Sequence, residues 1–580
     1  MTPALQPLIA ALLDPAAYPH PAPAPRLIET HISWVILAGD YAYKLKKPLE
    51  LGFLDFSSLD KREHYCREEV RLNARLAPDI YLGVVPIAGS PPRIEGEGPV
   101  LEWAVKMRAF PADATLDREP EITADQIDAI ADTVARFHGE IAPVAAAFGT
   151  AEAVQAPVAE NFRQLRAKLP LPDALLDRLE AWSLAEGQRL TGHFAARKEQ
   201  GHIRECHGDL HLGNIAWLTE ALPPPPFEKV VFALAGDTRE SRGEGDLPLS
   251  QRGNEGDSSK GGASSSVRKS PLAPLCKRGE PHQFASPAVA KRDFGKGGRP
   301  LIFDGIEFNP GLRCIDCISD VAFLGMDLMH RGLAPLAWRF LDRYLQHTGD
   351  YAGLAALPYY LVYRALVRAK VAALRASQSD QDLSEALSYL ALAERFTRRP
   401  APALLLMHGV SGSGKTWFSQ HLLEQLPAIR VRSDVERKRL YGLDALADSR
   451  ALGENIYSRE AGERTLARLL EVTQALLNAG FRVIVDATFI KRDWREPLRT
   501  LAETLALPWF IIALEAPAEV LRQRLLDRQA AGRDASEAGV DVLAAQLTAV
   551  EAFSEFELSH VVRPGLDANQ ALRQIQAVLP

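Results

Sequence analysis

The 580-residue chain has no apolar run approaching 18 residues, so nothing in it is long enough to span a membrane as a helix. The first positively charged residue is Arg26, which follows a proline-rich stretch, and this start differs from a secretory signal. Cysteine occurs at five positions, an odd number that favours a reducing compartment over a disulfide framework. These absences predict a cytoplasmic protein with no membrane partner.

The chain also lacks a strong basic charge. Its net charge of -7 and pI near 6.1 exclude a positive field over the whole molecule that would hold nucleic acid non-specifically. With 47% hydrophobic and 24% charged residues, the composition is typical of a globular protein and excludes wholesale disorder. The length exceeds what one hydrophobic core usually serves, so we expect two or three domains.

Residues 26–110 have the pattern of a small sheet lobe. Around a turn at Ala38-Gly39-Asp40, β-branched and aromatic residues predict three strands. The stretch "SSLDKREHYCREEVRLNARLAP" predicts a surface helix that starts near Ser57 and Ser58, and "VLEWAVKMRAF" returns to strand character. We expect five strands with one inserted helix, followed from Ile122 to Phe396 by mostly helical sequence.

Residues 235–299 interrupt this helical part. They are rich in Gly, Ser, Pro and charge and cannot bury enough apolar surface to offset the entropy of ordering, which predicts a disordered insertion. A long flexible insertion adds little to the cost of loop closure, so the fold tolerates it. Without it, "RPLIFDGIEF" follows "NIAWL", and Asp304 ends a buried strand close to the preceding loop.

That loop, "HGDLHLGNI" at 207–215, predicts a phosphoryl-transfer site. Asp209 and Asn214 lie five residues apart in a glycine-containing loop, a spacing that suits a base and a magnesium ligand, and Asp304 supplies a second metal-binding acid. Cys206, His207 and His211 include zinc-ligand types, but their spacing fits no standard zinc pattern. Cys314 and Cys317 are interpreted as core residues rather than a redox or metal pair.

A lysine of the sheet lobe is expected to neutralise phosphate charge. In "AYKLKK", strand alternation places Lys44 and Lys46 on one face, and Lys44 is chosen because it lies deeper in the strand. Its ion-pair partner is expected on the following helix. Glu69 is the predicted partner, although the sequence alone does not distinguish it from Glu68.

Residues 26–396 resemble the aminoglycoside phosphotransferase and choline kinase branch of the protein-kinase-like fold. The resemblance is carried by "HGDLHLGN", "IFDGIEF" and "DCISDVAFLGMDL". It implies that Asp209 is the catalytic acid-base residue, that Asn214 and Asp304 bind the metal, that His207 shapes the loop, and that Asp320 braces it. Two features depart from protein kinases: no G-x-G-x-x-G precedes the lysine strand, and "DGIEF" is not D-F-G.

A Walker A motif follows a basic linker. "ALLLMHGVSGSGKTWFSQHLL" predicts a buried strand, the pattern G-x-x-x-x-G-K-T and then a helix, the context in which this motif binds nucleotide phosphates. Lys415 would reach the β and γ phosphates and Thr416 would bind magnesium. The expected ATP-binding residues are Gly409, Ser411, Gly412, Ser413, Gly414, Lys415 and Thr416.

Two downstream acids complete this second site. Asp486 ends the strand in "AGFRVIVDATF" and suits a magnesium ligand, and Asp434 ends the strand in "IRVRSD". An arginine-rich stretch beyond residue 518 has the pattern of a lid whose cation offsets charge in the transition state, although such a helix is often solvated surface. The candidates are Arg524, Arg528 and Arg533, of which Arg528 is chosen.

Residues 401–580 resemble small P-loop kinases, such as gluconate kinase, polynucleotide 5'-kinase and zeta-toxin-like sugar-nucleotide kinases. The shared parts are "GVSGSGKT", "RSD", "VDATF" and "RQAAGRDASEA". This likeness implies that Asp434 contacts or activates the acceptor hydroxyl. The whole chain is similar to bacterial bifunctional proteins that join an aminoglycoside phosphotransferase-like domain to an ATP-binding domain.

The expected fold class is α/β and α+β multidomain, with a bilobal kinase-like domain at 1–396, a linker at 397–402, and a P-loop α/β/α sandwich with a parallel sheet at 403–580. We expect an ATP- and magnesium-dependent phosphotransferase with two nucleotide sites and small hydroxylated acceptors. One alternative is a nucleotide-controlled regulatory protein without a phosphorylated acceptor. A nucleic-acid end as acceptor of the C-terminal half ranks lower, and the oligomeric state is not predicted.

Overall fold

The computed structural model describes residues 5–51, 54–111, 113–144, 147–168, 173–219, 298–379, 382–449, 455–531, 535–564 and 568–579. The predicted insertion at 235–299 lies outside these residues except at its end, where Arg299 begins a strand and is therefore part of the folded chain. The described residues on both sides of this gap belong to one compact unit.

The described residues from 5 to 111 form a sheet lobe. Its antiparallel sheet has the order β1-β2-β3-β6-β4-β5, six strands instead of the five expected, because a two-residue strand is too short to show periodicity. Its helix α2 begins where expected, since the Ser58 side chain accepts a hydrogen bond from the Lys61 N–H. The elements are α1 (Gln6–Ala11), β1 (Arg26–Glu29), β2 (Ser33–Ala38), β3 (Tyr41–Lys46), α2 (Leu59–Asn73), β4 (Tyr81–Ala88), β5 (Arg93–Ile94) and β6 (Val100–Arg108).

The described residues from 113 to 397 form a helical lobe around α8, which is buried along most of its length. Two antiparallel pairs of short strands, β7 with β10 and β8 with β9, flank the loop at 207–215. The elements are α3 (Ala124–Glu140), α4 (Ala151–Lys168), α5 (Asp173–Arg189), α6 (Thr191–Glu199), β7 (Ile203–Glu205), β8 (Ile215–Leu218), β9 (Arg299–Ile302), α7 (Pro310–Arg313), β10 (Cys314–Asp316), α8 (Cys317–His330), α9 (Ala334–Thr348), α10 (Leu357–Ser379) and α11 (Ser384–Thr397).

The described residues from 404 to 579 form the C-terminal region, an α/β unit whose five-stranded sheet has the order β12-β13-β11-β14-β15. All neighbouring strands are parallel, which confirms the predicted parallel sheet. The elements are β11 (Leu404–His408), α12 (Lys415–Gln425), β12 (Ala428–Arg432), α13 (Ser433–Leu440), α14 (Arg459–Asn478), β13 (Arg482–Asp486), α15 (Arg492–Thr504), β14 (Trp509–Ala513), α16 (Ala518–Ala531), α17 (Val540–Thr548), α18 (Glu555–Leu558), β15 (Val561–Val562) and α19 (Ala568–Val578).

The helical lobe and the C-terminal region share one hydrophobic core. Phe340 of α9 belongs to the same buried cluster as Leu406 of β11 and Val431 of β12. Helix α9 contacts α3 and α8 within its own lobe and α12 and β12 in the C-terminal region. Burial of apolar side chains across this boundary therefore holds the two parts together. Among the helices that the structure describes, none is long and apolar enough to cross a membrane.

Candidate functional sites

The loop at 207–215 is shaped by a neutral histidine. The His207 Nε2 lies 2.9 Å from the Phe303 carbonyl oxygen, and its Nδ1 lies 3.3 Å from the Asp209 N–H. Because a carbonyl oxygen accepts and an N–H donates, Nε2 carries the proton and Nδ1 accepts. Burial lowers the pKa of His207, which favours this neutral form. The ring thus ties the loop to the end of β9, in line with the loop-shaping role that the resemblance implied.

Side chains from the helices hold the backbone of this loop. The buried Asp320 of α8 accepts hydrogen bonds from the N–H groups of His207 at 3.1 Å and Gly208 at 2.9 Å. Arg364 of α10 donates to the Gly208 carbonyl at 2.9 Å, and Asp327 accepts from the Leu212 N–H at 2.9 Å. These contacts give Asp320 the bracing position that the sequence suggested. The contacts of Arg364 and Asp327 were not anticipated: Arg364 lies outside the quoted motifs, and Asp327 lies in "DCISDVAFLGMDL" but was given no role there.

Asp209 and Asn214 are in direct contact. The Asn214 side-chain amide donates to the Asp209 carbonyl at 3.0 Å and to its Oδ2 at 3.1 Å, which leaves the Asn214 Oδ1 as the amide atom suited to bind a cation. Burial acts to raise the pKa of Asp209, but the adjacent His211 and the charge of Arg368 outweigh it and hold the pKa well below the usual range. Asp209 is therefore ionised at neutral pH.

Pairing of β8 with β9 brings Asp304 to this loop. Ile215 lies opposite Ile302 in the ladder, and the Phe303 N–H donates to the Asn214 carbonyl at 3.0 Å. The expectation that Asp304 follows a buried strand close to the loop is confirmed. Asp304 itself has a φ of 61°, in the left-handed region where a residue other than glycine typically costs about 1–3 kcal/mol.

Neighbouring side chains hold the backbone around this strained residue. The Asp304 N–H donates to the Tyr81 hydroxyl at 3.2 Å, and the Gly305 N–H donates to the Asn73 Oδ1 at 2.7 Å. Both partners belong to the sheet lobe, so the position of the Asp304 carboxylate depends on how that lobe packs on β9.

Both lysines of β3 reach the same glutamate. Lys44 Nζ lies 2.8 Å from Glu69 Oε1 and 2.5 Å from Asp304 Oδ1. Lys46 Nζ lies 2.8 Å from Glu69 Oε2 and forms a second ion pair with Glu307. Burial opposes the charge on Lys44, but Asp304 and Glu69 hold its pKa well above the ordinary value. The structure therefore places Lys44 beside the proposed metal ligand and Lys46 in a buried structural pair.

The structure also decides between the two candidate glutamates. Glu68 points away from the lysines and pairs with Arg71 at 2.9 Å and Arg313 at 3.4 Å. Glu69 is fully buried between Lys44 and Lys46. The sequence offered one missed signal, since Glu307 lies in the "IFDGIEF" motif three residues after Asp304.

The Walker A loop has a backbone that only glycine adopts easily. Gly409, Gly412 and Gly414 have φ values of 145°, 84° and 96°. A Cβ on Gly412 would lie 2.8 Å from the Leu521 carbonyl oxygen. The Ser413 hydroxyl is buried, and no hydrogen-bond partner reaches it in the part of the chain that the structure describes. These features fit a loop that binds a phosphate group.

Lys415 and Thr416 begin α12 directly after this loop. Lys415 Nζ donates to the Val410 carbonyl at 2.9 Å, across the base of the loop. The parallel register aligns Asp486 with Met407, so its carboxylate lies next to the strand that enters the loop. The Ser419 hydroxyl contacts Asp486 Oδ2 at 3.3 Å. Because the Ser419 hydroxyl also contacts the Thr416 carbonyl at 3.1 Å, it links Asp486 to the first turn of α12, which carries Thr416. Carboxylate and hydroxyl oxygens are of the type that suits a magnesium ion.

The structure places the remaining predicted residues as follows. Asp434 lies two residues beyond the end of β12, at the same sheet edge as Asp486, with its Oδ1 3.5 Å from Arg437. Arg528 donates to the Ala538 carbonyl at 2.6 Å and is not brought against the Walker A loop by this contact. Arg524 donates to the Gly412 carbonyl at 3.4 Å. Arg524 thus contacts the loop at Gly412, and Arg533 lies outside the described residues.

One contact to the loop had no sequence signal. The Ser411 N–H donates to Gln546 Oε1 of α17 at 2.7 Å. Neither the periodicity of α17 nor its composition singles out Gln546, because its role depends on how α17 packs over the loop.

Comparison with protein families identifies a domain in each half. The model of the phosphotransferase enzyme family matches residues 63–222, and a model described as an AAA domain matches residues 404–553. The two matches confirm the predicted pairing of an aminoglycoside phosphotransferase-like domain with a P-loop kinase domain. They support a phosphotransferase.

The chain is 27% identical over 546 residues to uncharacterized proteins of Mycobacterium tuberculosis (strain ATCC 25618 / H37Rv) and Mycobacterium bovis, with 89% of each chain covered. It is 32% identical over 130 residues to an adenylyl-sulfate kinase of Myxococcus xanthus, covering 22% of this chain and 64% of that protein.

Among solved structures, the chain is similar to a gluconokinase from Sinorhizobium meliloti 1021, with 20% identity and a TM-score of 0.23. The match covers 31% of this chain and 95% of that chain. The APS kinase CysC of Mycobacterium tuberculosis in complex with AMPPNP and APS matches with 17% identity, 31% of this chain, 97% of that chain and a TM-score of 0.23.

Proposed function

We propose that this protein is an ATP- and magnesium-dependent phosphotransferase with two nucleotide sites, each transferring a γ-phosphate to a hydroxyl group of a small molecule. The observation that carries the proposal is that each half holds a lysine in a setting that suits phosphate binding, with an acid beside it in the N-terminal site and a glycine-rich loop before it in the C-terminal site. Lys44 contacts Asp304 in the N-terminal site, and Lys415 begins the helix that leads to the Asp486 contact in the C-terminal site.

In the N-terminal site, Asp209 accepts the proton of the acceptor hydroxyl as the acceptor oxygen forms its bond to the γ-phosphorus. The bond between that phosphorus and the bridging oxygen breaks, and ADP leaves. Asn214 and Asp304 hold a magnesium ion, which when bound neutralises charge on the phosphates. Lys44, oriented by Glu69, adds a second positive charge beside Asp304.

In the C-terminal site, the Walker A loop holds the triphosphate through its backbone N–H groups, Lys415 and the Ser413 hydroxyl. Thr416 and Asp486 are the magnesium ligands, and Asp434 faces the acceptor hydroxyl. Arg524 is a better candidate than Arg528 for the cation that stabilises transferring charge, because it already contacts Gly412 at 3.4 Å.

A small acceptor suits the C-terminal site better than a nucleic-acid end. A nucleic-acid end would need free positive charge near the site, but five basic residues in β12 and α13 are engaged within the protein: Arg430 with Asp342, Arg432 with Gln346, Arg437 with Asp434, Lys438 with Glu537 and Arg439 with Glu436. Side chains held in such pairs present less free charge to a phosphate backbone.

The test is to incubate the purified full-length protein with γ-labelled ATP and a metabolite extract, alongside the Asp209→Asn and Lys415→Ala variants. We expect two sets of labelled products, one lost in each variant. Release of label as free phosphate alone, whatever alcohol or sugar is offered, would instead identify a nucleotide-controlled regulatory protein.

A further inference from the structure

A buried ion pair connects the helical lobe to the C-terminal site. Arg430 of β12 is 3% exposed, and its Nε and Nη2 donate to the two carboxylate oxygens of Asp342 of α9 at 3.1 Å and 2.6 Å. Bidentate pairs of this kind fix the guanidinium in position as well as balancing its charge. Among the described residues, no acid other than Asp342 lies within ion-pair distance of Arg430.

The same guanidinium reaches the Walker A helix. Arg430 Nη1 donates to the Thr416 carbonyl oxygen and to the Ser419 hydroxyl, each at 3.1 Å. Ser419 in turn contacts Asp486 Oδ2 at 3.3 Å. Arg430 therefore contacts the backbone of Thr416 directly and Asp486 through Ser419, the two residues proposed to bind the cation. Its positive charge is balanced by Asp342 of the helical lobe.

A second path runs beside the first. Gln346, one helical turn after Asp342 on α9, donates to Asp342 Oδ2 at 2.6 Å and accepts from Arg432 Nη1 at 3.0 Å. Arg432 Nε lies 3.6 Å from Asp486 Oδ2. Two residues of α9 thus contact two arginines that stand between the helical lobe and Asp486.

We propose that Asp342 of the helical lobe is a positioning residue of the C-terminal nucleotide site. By neutralising Arg430, it prevents an unpaired buried cation from repelling a divalent cation at Thr416 and Asp486. By fixing the guanidinium, it holds the Thr416 backbone and Ser419 in place. This inference rests on the proposed nucleotide site at the Walker A loop.

A matched control comes from the same boundary. Arg439 of α13 donates to the carbonyl oxygens of Leu345 at 3.2 Å and Gln346 at 2.6 Å, at the end of α9. These bonds cross the same boundary, but their partners are backbone atoms of α9 and not residues of the Walker A helix. Arg439→Gln therefore removes these contacts and the ion pair with Glu436, but it leaves the side-chain contacts of Arg430, Asp342 and Gln346 in place.

The experiment measures ATP affinity of the full-length chain by calorimetry, with and without magnesium, in an Asp304→Asn background that disables the N-terminal site. Asp342→Asn keeps the shape of the side chain and removes its charge. We expect it to weaken binding of magnesium-ATP at least tenfold while changing binding of metal-free ATP less than threefold. Arg439→Gln should change either affinity less than threefold.

An equal loss with and without magnesium, or the same selective loss in Arg439→Gln, would overturn the proposal. Should Asp342→Asn fail to fold, Ser419→Ala decides, because it breaks the link from Arg430 to Asp486 while keeping the ion pair. It should show the magnesium-selective loss, and unchanged affinity would refute the network. Lys415→Ala is measured in parallel. If Lys415→Ala retains full ATP affinity, the proposed nucleotide site is wrong. If Lys415→Ala loses affinity while Asp342→Asn binds ATP normally, only the role of Asp342 is rejected.

Discussion

The two candidate sites are assembled in opposite ways. In the N-terminal site, Lys44 and Asp304 meet although they are 260 residues apart, and Glu69 joins them from a helix between. In the C-terminal site, the phosphate loop is the contiguous stretch from Gly409 to Thr416. The first site depends on charged side chains brought together by packing, whereas the second depends on backbone geometry encoded by neighbouring residues.

This difference does not make the C-terminal region self-sufficient. Its strands share a buried core with α9, and the charge of Arg430 in β12 is balanced by Asp342 of the helical lobe. A motif that is local in sequence can therefore depend on distant residues for its electrostatics. Tests of this region should use the full chain.

The largest expected effect would show that the N-terminal site depends on one carboxylate. Asp209→Asn should lower kcat for the N-terminal product about 1,000-fold, because proton transfer by a positioned group contributes on this order. ATP affinity should change less than threefold, since Asp209 is proposed to face the acceptor. Steady-state kinetics and calorimetry measure both, with the exposed Asp177→Asn on α5 as control. Retained turnover would reject Asp209 as the base.

Substitution of the two lysines of β3 should have different effects: loss of Lys44 should mainly impair phosphate transfer, and loss of Lys46 should mainly lower stability. Lys46→Met should lower the free energy of unfolding by roughly 3 kcal/mol, because it leaves the buried Glu307 without its partner cation and leaves Glu69 with Lys44 alone. Lys44→Met should cost less than half as much, since Asp304 is partly exposed and Glu69 keeps Lys46, yet it should remove N-terminal transfer. Urea unfolding and product assays check both. Equal destabilisation by the two variants would contradict this division.

The Walker A lysine tests the local character of the C-terminal site. Lys415→Ala should weaken ATP binding there about 100-fold, the loss expected for a charge-assisted contact to phosphate. Calorimetry of the full chain carrying Asp304→Asn isolates this site, and the exposed Lys491→Ala serves as control. N-terminal product formation by Lys415→Ala alone should stay within threefold of the wild type. A parallel loss there would show that the two sites are not independent in binding.

A smaller effect concerns acid stability of the C-terminal region. His408, at the end of β11, is buried, and burial together with nearby Arg495 lowers its pKa to about 4. Between the ordinary pKa of about 6.5 and this value, the unfolded chain takes up a proton that the folded chain refuses, so stability falls as pH falls. The loss between pH 7.5 and pH 5 should be about 2 kcal/mol.

His408→Leu should flatten that part of the pH dependence. Thermal unfolding of both proteins from pH 7.5 to pH 5 provides the comparison, and parallel curves would show that His408 does not carry the proton linkage.

Sequence patterns predicted the first three strands, the helix after Ser58 and the Walker A loop, because each rests on periodicity or turn chemistry within a short window. The parallel C-terminal sheet was instead implied by the resemblance to P-loop kinases. Sequence patterns did not predict β5, which has two residues. They also could not choose Glu69 over Glu68, since both lie on α2 and the choice depends on which side packs against β3. Arg524 and Arg528 differ by one helical turn, and only the packing of α16 brings the former to Gly412.

Sequence alone determined the residues of the Walker A motif and the local backbone that presents them, because glycine conformations and strand runs are set by near neighbours. Only the tertiary structure decided which charged side chains form ion pairs: Lys44 with Asp304, Lys46 with Glu307, and Arg430 with Asp342. Buried charges need partners at contact distance, and that distance is set by how the lobes pack rather than by position along the chain.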